Sequence, residues 1–278
     1  MILTFDKIDS TINLIPKQQD LSNGFTRVYW ESNDSFDQAS EEILYLTIVK
    51  LASEVFGDDM SPYWSQKRSQ NFFNTASRLS LIFDQSGNPI GWGGLFLKLI
   101  NHQHCLYIDA TGIIQRYQNK NLLVETSTKD VLDFWRKVKF QKLFLLMRTE
   151  SSLVYDIFRK RAGETKIYPL INNRKVPINI QKLAKEMAII LNQEDKINLD
   201  TLVIKNAFNG PCPWRWDKNL KPLLAEGLMN SRNNRIHQFI NKKLNPEDSL
   251  IIVVEVSLIG VIRCYLGINI QKLKKFFS

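Results

Sequence analysis

Apolar and polar residues alternate over 25–30, the two-residue period of a half-buried strand. The period then lengthens. Ile43, Leu46, Ile48, Val49, Leu51, Ala52 and Val55 recur at helical spacing, and Ser35 with Gln38 has the form of a capping box, so a helix is predicted over 36–56. Ser61 and Pro62 combine a cap hydroxyl with a first-turn proline and predict a second helix over 61–77. Residues 79–83, 90–100 and 106–114 read as strands, joined by a turn at 84–89 and a connection at 101–104. These three strands form an antiparallel meander. Gly91, Gly93 and Gly94 around Trp92 predict a bulge or the close approach of another backbone.

Beyond the meander the pattern changes again. Leu122, Val124, Val131, Leu132, Phe134 and Trp135 supply the apolar contacts of a helix over 121–137. Residues 142–147 are almost continuously apolar, as in a strand buried on both faces. A helix over 151–161, a strand over 165–171, a helix over 180–191, helical material within 222–243 and a strand over 249–258 follow. The loop 209–216 carries two prolines and two tryptophans, and covers either a cleft or a core edge. A β-helix-β crossover attached to a meander makes the fold class α/β, with a mixed sheet. The apolar run 250–270 is interrupted by Glu255, Gly260, Arg263 and Gly267, which favours two buried strands over a membrane-spanning helix.

Length and composition narrow the classes. A chain of 278 residues suits one enlarged domain, or one domain with an extension. Apolar residues at 44% and charged residues at 23% exclude a disordered chain, collagen-like repeats and a coiled coil. Three cysteines and three histidines exclude a disulfide framework, and no metal site is expected. The net charge of +9 attracts anions: nucleic acid, acidic lipid or a phosphorylated cofactor. No helix concentrates Lys and Arg and no zinc or RNA-recognition pattern is present, so DNA is not an expected partner. No secretory signal opens the chain and the cysteines lack partners, so a cytoplasmic location without stable membrane insertion is expected.

The element order over 25–171 resembles the GCN5-related N-acetyltransferase (GNAT) superfamily, with 249–258 as its last strand. Two segments carry the resemblance. Residues 113–123 are similar to the family's V-x-P-x-Y-R-G-K-G-I-G: Ile113, Tyr117, Gln118, Lys120 and Leu122 match, while Asn119, Asn121 and Leu123 stand at glycine positions. Such a loop holds a pyrophosphate on backbone N–H groups and a helix N-terminus. Asparagine tolerates the backbone angles glycine supplies, whereas a leucine crowds the approach. Residues 148–163 look like the family's T-x-N-P-x-A-x-x-x-Y-x-K-x-G-F, with Ser151 at the Asn position, Val154 at the Ala position and Phe158 at the tyrosine position.

The resemblance implies a GNAT-like acyl-CoA N-acyltransferase fold with an N-terminal extension (1–24), a core (25–171) and an enlarged C-terminal part (172–278) adding its strand to the same sheet. It implies acyl-CoA as cosubstrate and direct attack of an amine on the thioester. The size of the C-terminal part extends the expectation to a medium or long acyl chain and to a Lys or ornithine side chain of a ribosomally made peptide. The implied cofactor-binding residues are Ile113, Ile114, Gln115, Gln118, Asn119, Lys120, Asn121, Leu122, Leu123, Ser151 and Phe158. Tyr107, Trp92 and Trp214 are candidates for substrate contact.

The chemistry needs a base for the amine, donors for the oxyanion and a proton for sulfur. Alternation puts Tyr107, Asp109 and Thr111 on one strand face. Asp109 is the candidate base, or else one half of a salt bridge to a nearby Arg or Lys. His104, in a hairpin with His102, is a second candidate base or a surface residue. Phe158 cannot protonate a thiolate; Tyr155, three residues earlier on the same helix, replaces it or packs beneath the helix. The resemblance also implies that the oxyanion meets backbone N–H near Ile113. Cys105, Cys212 and Cys264 read as small apolar residues. Two other readings stand beside the enzyme: an acyl-CoA-binding sensor or scaffold, favoured by Phe158 and Leu123, and an RNA-modifying acyltransferase, suggested by the charge.

Overall fold

A computed structural model describes residues 2–31, 35–163, 165–172, 174–207, 233–245 and 248–263. They divide into two compact units. The first holds residues up to Phe96 together with 108–130.

In the first unit, α1 (Ile8–Thr11) and β1 (Lys17–Asp20) precede β2 (Thr26–Glu31), and β1 pairs antiparallel with β2. Leu3, Ile8, Ile12 and Leu21 are buried in the same core as Val28 and Trp30. Helix α2 (Gln38–Phe56) is capped by Asp37, which accepts from the Ser40 N–H at 2.8 Å, in place of the predicted Ser35–Gln38 box. It ends at Gly57, in the left-handed conformation that satisfies the last carbonyls.

The helix predicted over 61–77 is two pieces, α3 (Ser61–Ser69) and α4 (Phe72–Thr75). Asn71, at φ 58°, breaks the run. The break lets Phe72 turn inward onto Trp64, with ring centroids 5.4 Å apart, and Trp64 meets Trp92 at 6.3 Å. Asp59 accepts from the Ser61 N–H and hydroxyl, so Ser61 is not the cap.

Strand β3 (Arg78–Phe83) pairs antiparallel with β2 and with β4 (Pro89–Ile100). The register shifts between Ile82 and Phe83, whose partners are Gly91 and Pro89, at the edge of the glycine run, while Trp92, Gly93 and Gly94 pair regularly. The second half of the glycine expectation holds. A Cβ on Gly91 would lie 2.7 Å from the Gly112 carbonyl, and one on Gly112 would lie 2.2 Å from the Trp92 ring. Asp84 organises the β3–β4 turn by accepting from the Ser86 and Asn88 N–H groups, and also accepts from the Tyr117 hydroxyl at 2.9 Å. Burial opposes the charge on Asp84, but these donors outweigh it and hold its pKa below the ordinary value.

A polar cluster is buried within this apolar unit. Arg27 on β2 and Arg78 on β3 have side chains only 2% exposed. Both reach Asp130, on the part of α5 (Leu122–Lys137) that lies in the first unit. Arg27 donates twice, at 2.8 Å to each carboxylate oxygen. Arg78 donates to the same carboxylate and, at 2.6 Å, to Glu31. Burial works against the Arg78 charge, and the two carboxylates more than offset it, raising its pKa. Five residues before Asp130 on the same helix, Glu125 accepts from the Ser22 N–H and hydroxyl.

The second unit holds 97–107 and the described residues from Val131 onward. It contains β6 (Leu143–Thr149), α6 (Ser152–Ala162), β7 (Ile167–Tyr168), α7 (Ile178–Ile190), β8 (Ile197–Asn198), β9 (Val203–Ile204), α8 (Asn234–Lys243) and β10 (Ser249–Glu255). Strand β10 pairs antiparallel with β6, β7 and β9. It stops at Glu255, short of the predicted 258, and residues 258–263 are helical instead of forming a second strand. The predicted strand over 165–171 shrinks to two residues, and β8 and β9 arise where only a polar stretch was read. The loop 209–216 and residues 222–232 lie outside the described residues. Among the described residues, no helix is long and apolar enough to cross a membrane.

The first unit generates three predictions. Asp130→Asn should cost about 3–5 kcal/mol in urea unfolding, because it leaves two buried guanidiniums short of counter-charge. Lys17→Ala, which removes the exposed end of a pair with Glu31, should cost about 0–1 kcal/mol. The Asp84 contribution carries the opposite sign to a raised pKa. Because its folded pKa is lowered, the stabilisation is full above about pH 4 and is lost as pH falls through the depressed value. The stability difference between the protein and Asp84→Asn should therefore be flat from about pH 5 to 7 and shrink below about pH 4, read from urea unfolding at stepped pH.

Candidate functional site

Strand β5 (Gln103–Ile113) starts from a two-residue hairpin turn. Asn101 and His102, at φ 48° and 59°, supply the two positive angles such a turn needs. The stretch from Ile108 onward belongs to the first unit and runs directly into the candidate cofactor loop.

That loop is built in three steps. A 3-10 turn over Gln115–Lys120 follows Ile114, and the Tyr117 N–H closes on the Ile114 carbonyl at 3.0 Å. The Gln118 side-chain amide donates back to the Ile113 carbonyl at 3.1 Å, which ties the turn to the end of β5. Asn121 then sits in the left-handed region at φ 59° and ψ 18°, and α5 begins at Leu122. This is the backbone angle for which the sequence pattern would use glycine, and asparagine is among the residues that tolerate it. Tyr117 is braced by Asp84 and packs edge-on against Phe25, with centroids 5.6 Å apart. The hydrogen bond to Asp84 raises the Tyr117 pKa.

Side chains around the loop separate by burial. Ile113, Ile114 and Leu122 are core residues. Gln115, Gln118, Lys120 and Asn121 are exposed, and so is Leu123 at 37%. The first N–H groups of a helix have no carbonyl partner within it and carry partial positive charge. The loop therefore joins an amide-rich helix start to exposed Arg116 and Lys120, an arrangement suited to an anion. Leu123, the second residue of α5, is not packed into the core.

Asp109 lies on β5, four residues before Ile113. Its side chain is 6% exposed and forms an ion pair with Lys67 of α3, which donates from Nζ to Oδ2. The Lys67 ammonium also lies 5.6 Å from the centre of the Tyr63 ring and 5.7 Å from that of Phe72. Of the two readings of Asp109, the ion pair is thus realised, with a lysine as partner. The contribution of Lys67 was not legible in sequence, because nothing in the helical spacing of 61–69 marks one lysine as inward-facing.

Other candidates take structural places. Trp92 is 2% exposed and lies over Gly112, so it shapes the core and is not exposed to a substrate. Within the second unit, Tyr155 is fully buried; its hydroxyl donates to the Pro169 carbonyl at 2.5 Å and its ring packs 5.7 Å from Phe239. It is therefore withdrawn as proton donor to a thiolate, since its proton is committed and its position is dry. Ser151 is the N-cap of α6, accepting from the Val154 N–H at 3.3 Å, and Phe158 is half-buried on the same helix. Tyr107 is 4% exposed. His104 is half-buried, with Nε2 2.9 Å from Gln141 Oε1. Cys105 is fully buried and its thiol is pushed up to about 12, which removes it as a nucleophile. Trp214, Cys212 and Cys264 lie outside the described residues. Among the described residues, no group of three or more His, Cys, Asp or Glu side chains is placed to hold a metal ion.

No protein-family model matches the chain, and no curated protein matches it. Solved structures do. The glucosamine N-acetyltransferase region of a fungal multi-domain β-N-acetylglucosaminidase is 13% identical, with a TM-score of 0.32 over 44% of this chain and 13% of that one. A GNAT family N-acetyltransferase from Escherichia coli, in complex with CoA, is 13% identical, with a TM-score of 0.31 over 41% of this chain and 61% of that one. A GNAT family acetyltransferase from Staphylococcus aureus is 12% identical, with a TM-score of 0.33 over 55% of this chain and 87% of that one. The chain thus spans less than two thirds of the length of the first two.

Proposed function

We propose that the chain is an acyl-CoA-dependent N-acyltransferase acting on an amine. The observation that supports this best is Asn121. It takes the left-handed angle at the glycine position of the phosphate-loop motif and hands the chain straight into α5. In this reading Gln118 holds the loop closed through Ile113, the start of α5 and Lys120 receive the pyrophosphate, and backbone N–H near Ile113 meets the oxyanion. Asp109 takes the proton that the acceptor ammonium must lose before it attacks the thioester carbon. The thiolate leaves and is protonated from solvent, since Phe158 has no proton to give and that of Tyr155 is committed.

The acceptor is an amine. A longer acyl chain and a peptide Lys or ornithine side chain are the finer parts of the proposal. A test uses donors from acetyl-CoA to palmitoyl-CoA against small amines, polyamines and lysine- or ornithine-containing peptides, with free thiol as the readout.

A second reading is a non-catalytic acyl-CoA binder, favoured by Leu123 at the helix start and by the burial of Tyr155. Saturable acyl-CoA binding without thiol release over the whole panel supports it and overturns the enzyme.

Two variants carry the enzyme reading. Asp109→Asn should lower kcat about 10²- to 10⁴-fold and leave the KM for acyl-CoA within about threefold. Asn121→Val, whose branched side chain resists the left-handed angle, should raise the KM for acyl-CoA about tenfold, while Asn121→Gly should keep it within about threefold. Steady-state kinetics on the best donor–acceptor pair reads both.

A further inference from the structure

We propose that Lys67 is itself an acyl acceptor, a self-modification site of this chain; this rests on the N-acyltransferase reading above. Three observations on one unit lead there. Lys67 is a primary amine, the nucleophile class the reaction consumes. Its Nζ is held against Asp109, the group assigned to deprotonate an acceptor. Its side chain is only 15% exposed and its ammonium lies near the Tyr63 and Phe72 rings, so the amine is presented to that carboxylate rather than to bulk water. A free acceptor must enter where this ammonium already sits. When none is present, the resident amine is the one that meets the base.

The step balances without another reactant. The Lys67 ammonium gives a proton to Asp109, and the neutral Nζ attacks the thioester carbonyl carbon. A C–N bond forms and the C–S bond breaks. The thiolate takes one proton, the nitrogen loses its second, and the sum is one amide, one free thiol and one proton released from the original ammonium. The product amide is uncharged, so the Lys67–Asp109 ion pair is lost.

Exposure supplies the control. Uncatalysed acylation by thioesters favours accessible lysines, and Lys17 and Lys160 are 62% and 65% exposed. The full chain is incubated with acetyl-CoA and, in parallel, longer acyl-CoA donors, and acylation at each lysine is followed over time by peptide mass spectrometry. Lys67 should be modified at least about fivefold faster than Lys17 and Lys160, the reverse of their exposure order. Asp109→Asn should slow Lys67 about tenfold or more while leaving Lys17 and Lys160 unchanged. Lys67→Arg, which keeps the cation, should remove the fast phase of label incorporation and should fold as the parent does by urea unfolding. Acylation that follows exposure, or a fast Lys67 rate that survives Asp109→Asn, overturns the inference. Thiol release with an added amine but an unmodified Lys67 overturns the inference alone. Absence of thiol release with every amine, together with exposure-ordered acylation, overturns the N-acyltransferase reading as well.

Discussion

The first unit depends on a buried carboxylate. Asp130 is the anion that Arg27 and Arg78 share, and each of those side chains is only 2% exposed. A guanidinium cannot shed its charge by titrating, so burial leaves it one remedy, a fixed anion at hydrogen-bonding distance. This fastens β2, β3 and the first half of α5 to one another with little positional freedom. Asp130 is eight residues into α5, about 12 Å along its axis from the first turn. Glu125, gripped by Ser22, fixes the helix again within its first turn. The start of α5, beside the candidate phosphate loop, is thereby held by buried charges.

Such a constraint is hard to read in a sequence. The apolar periods placed most elements of the first unit to within a few residues, since burial of one face imposes the same spacing everywhere. They could not announce that Arg27, on an alternating strand, and Arg78, one residue before the strand expected over 79–83, face inward. An alternating strand shows which residues share a face but not whether its polar face meets water or a carboxylate. The same limit explains the N-terminal residues. Leu3, Ile8, Ile12 and Leu21 are spaced by no single period, because they line a chain that wraps a core, and only packing reveals them as part of it. The misplaced caps have a smaller cause. Ser35 and Asp37 both offer an oxygen, and the one in reach of an unpaired N–H wins.

The candidate site was legible where chemistry lay in the backbone and obscure where it lay in side-chain contacts. Asn121 could be assigned a left-handed angle from its residue type and motif position, because few residues other than glycine accept that angle. Trp92 was marked by the glycines around it and Tyr155 by its spacing from Phe158, and neither signal carries burial. Their burial follows from neighbours distant in sequence: Gly112 leaves room for the indole, and the Pro169 carbonyl takes the phenol proton. An aromatic residue carries the same letter whether it lines a pocket or fills a core.

Lys67 and Asp109 combine these limits in one contact. A carboxylate that is 6% exposed needs a cation, and a base for an ammonium substrate needs that place vacant. Both demands are met if the resident cation is of the same chemical kind as the substrate. An arginine in place of Lys67 would hold the carboxylate in a bidentate fork that an incoming ammonium could displace only by breaking two hydrogen bonds. A lysine makes a single-point contact on a flexible stem, with an ammonium no better suited to Asp109 than that of the acceptor. On the proposed reading of Asp109, the ion pair keeps the buried carboxylate compensated while no amine is bound.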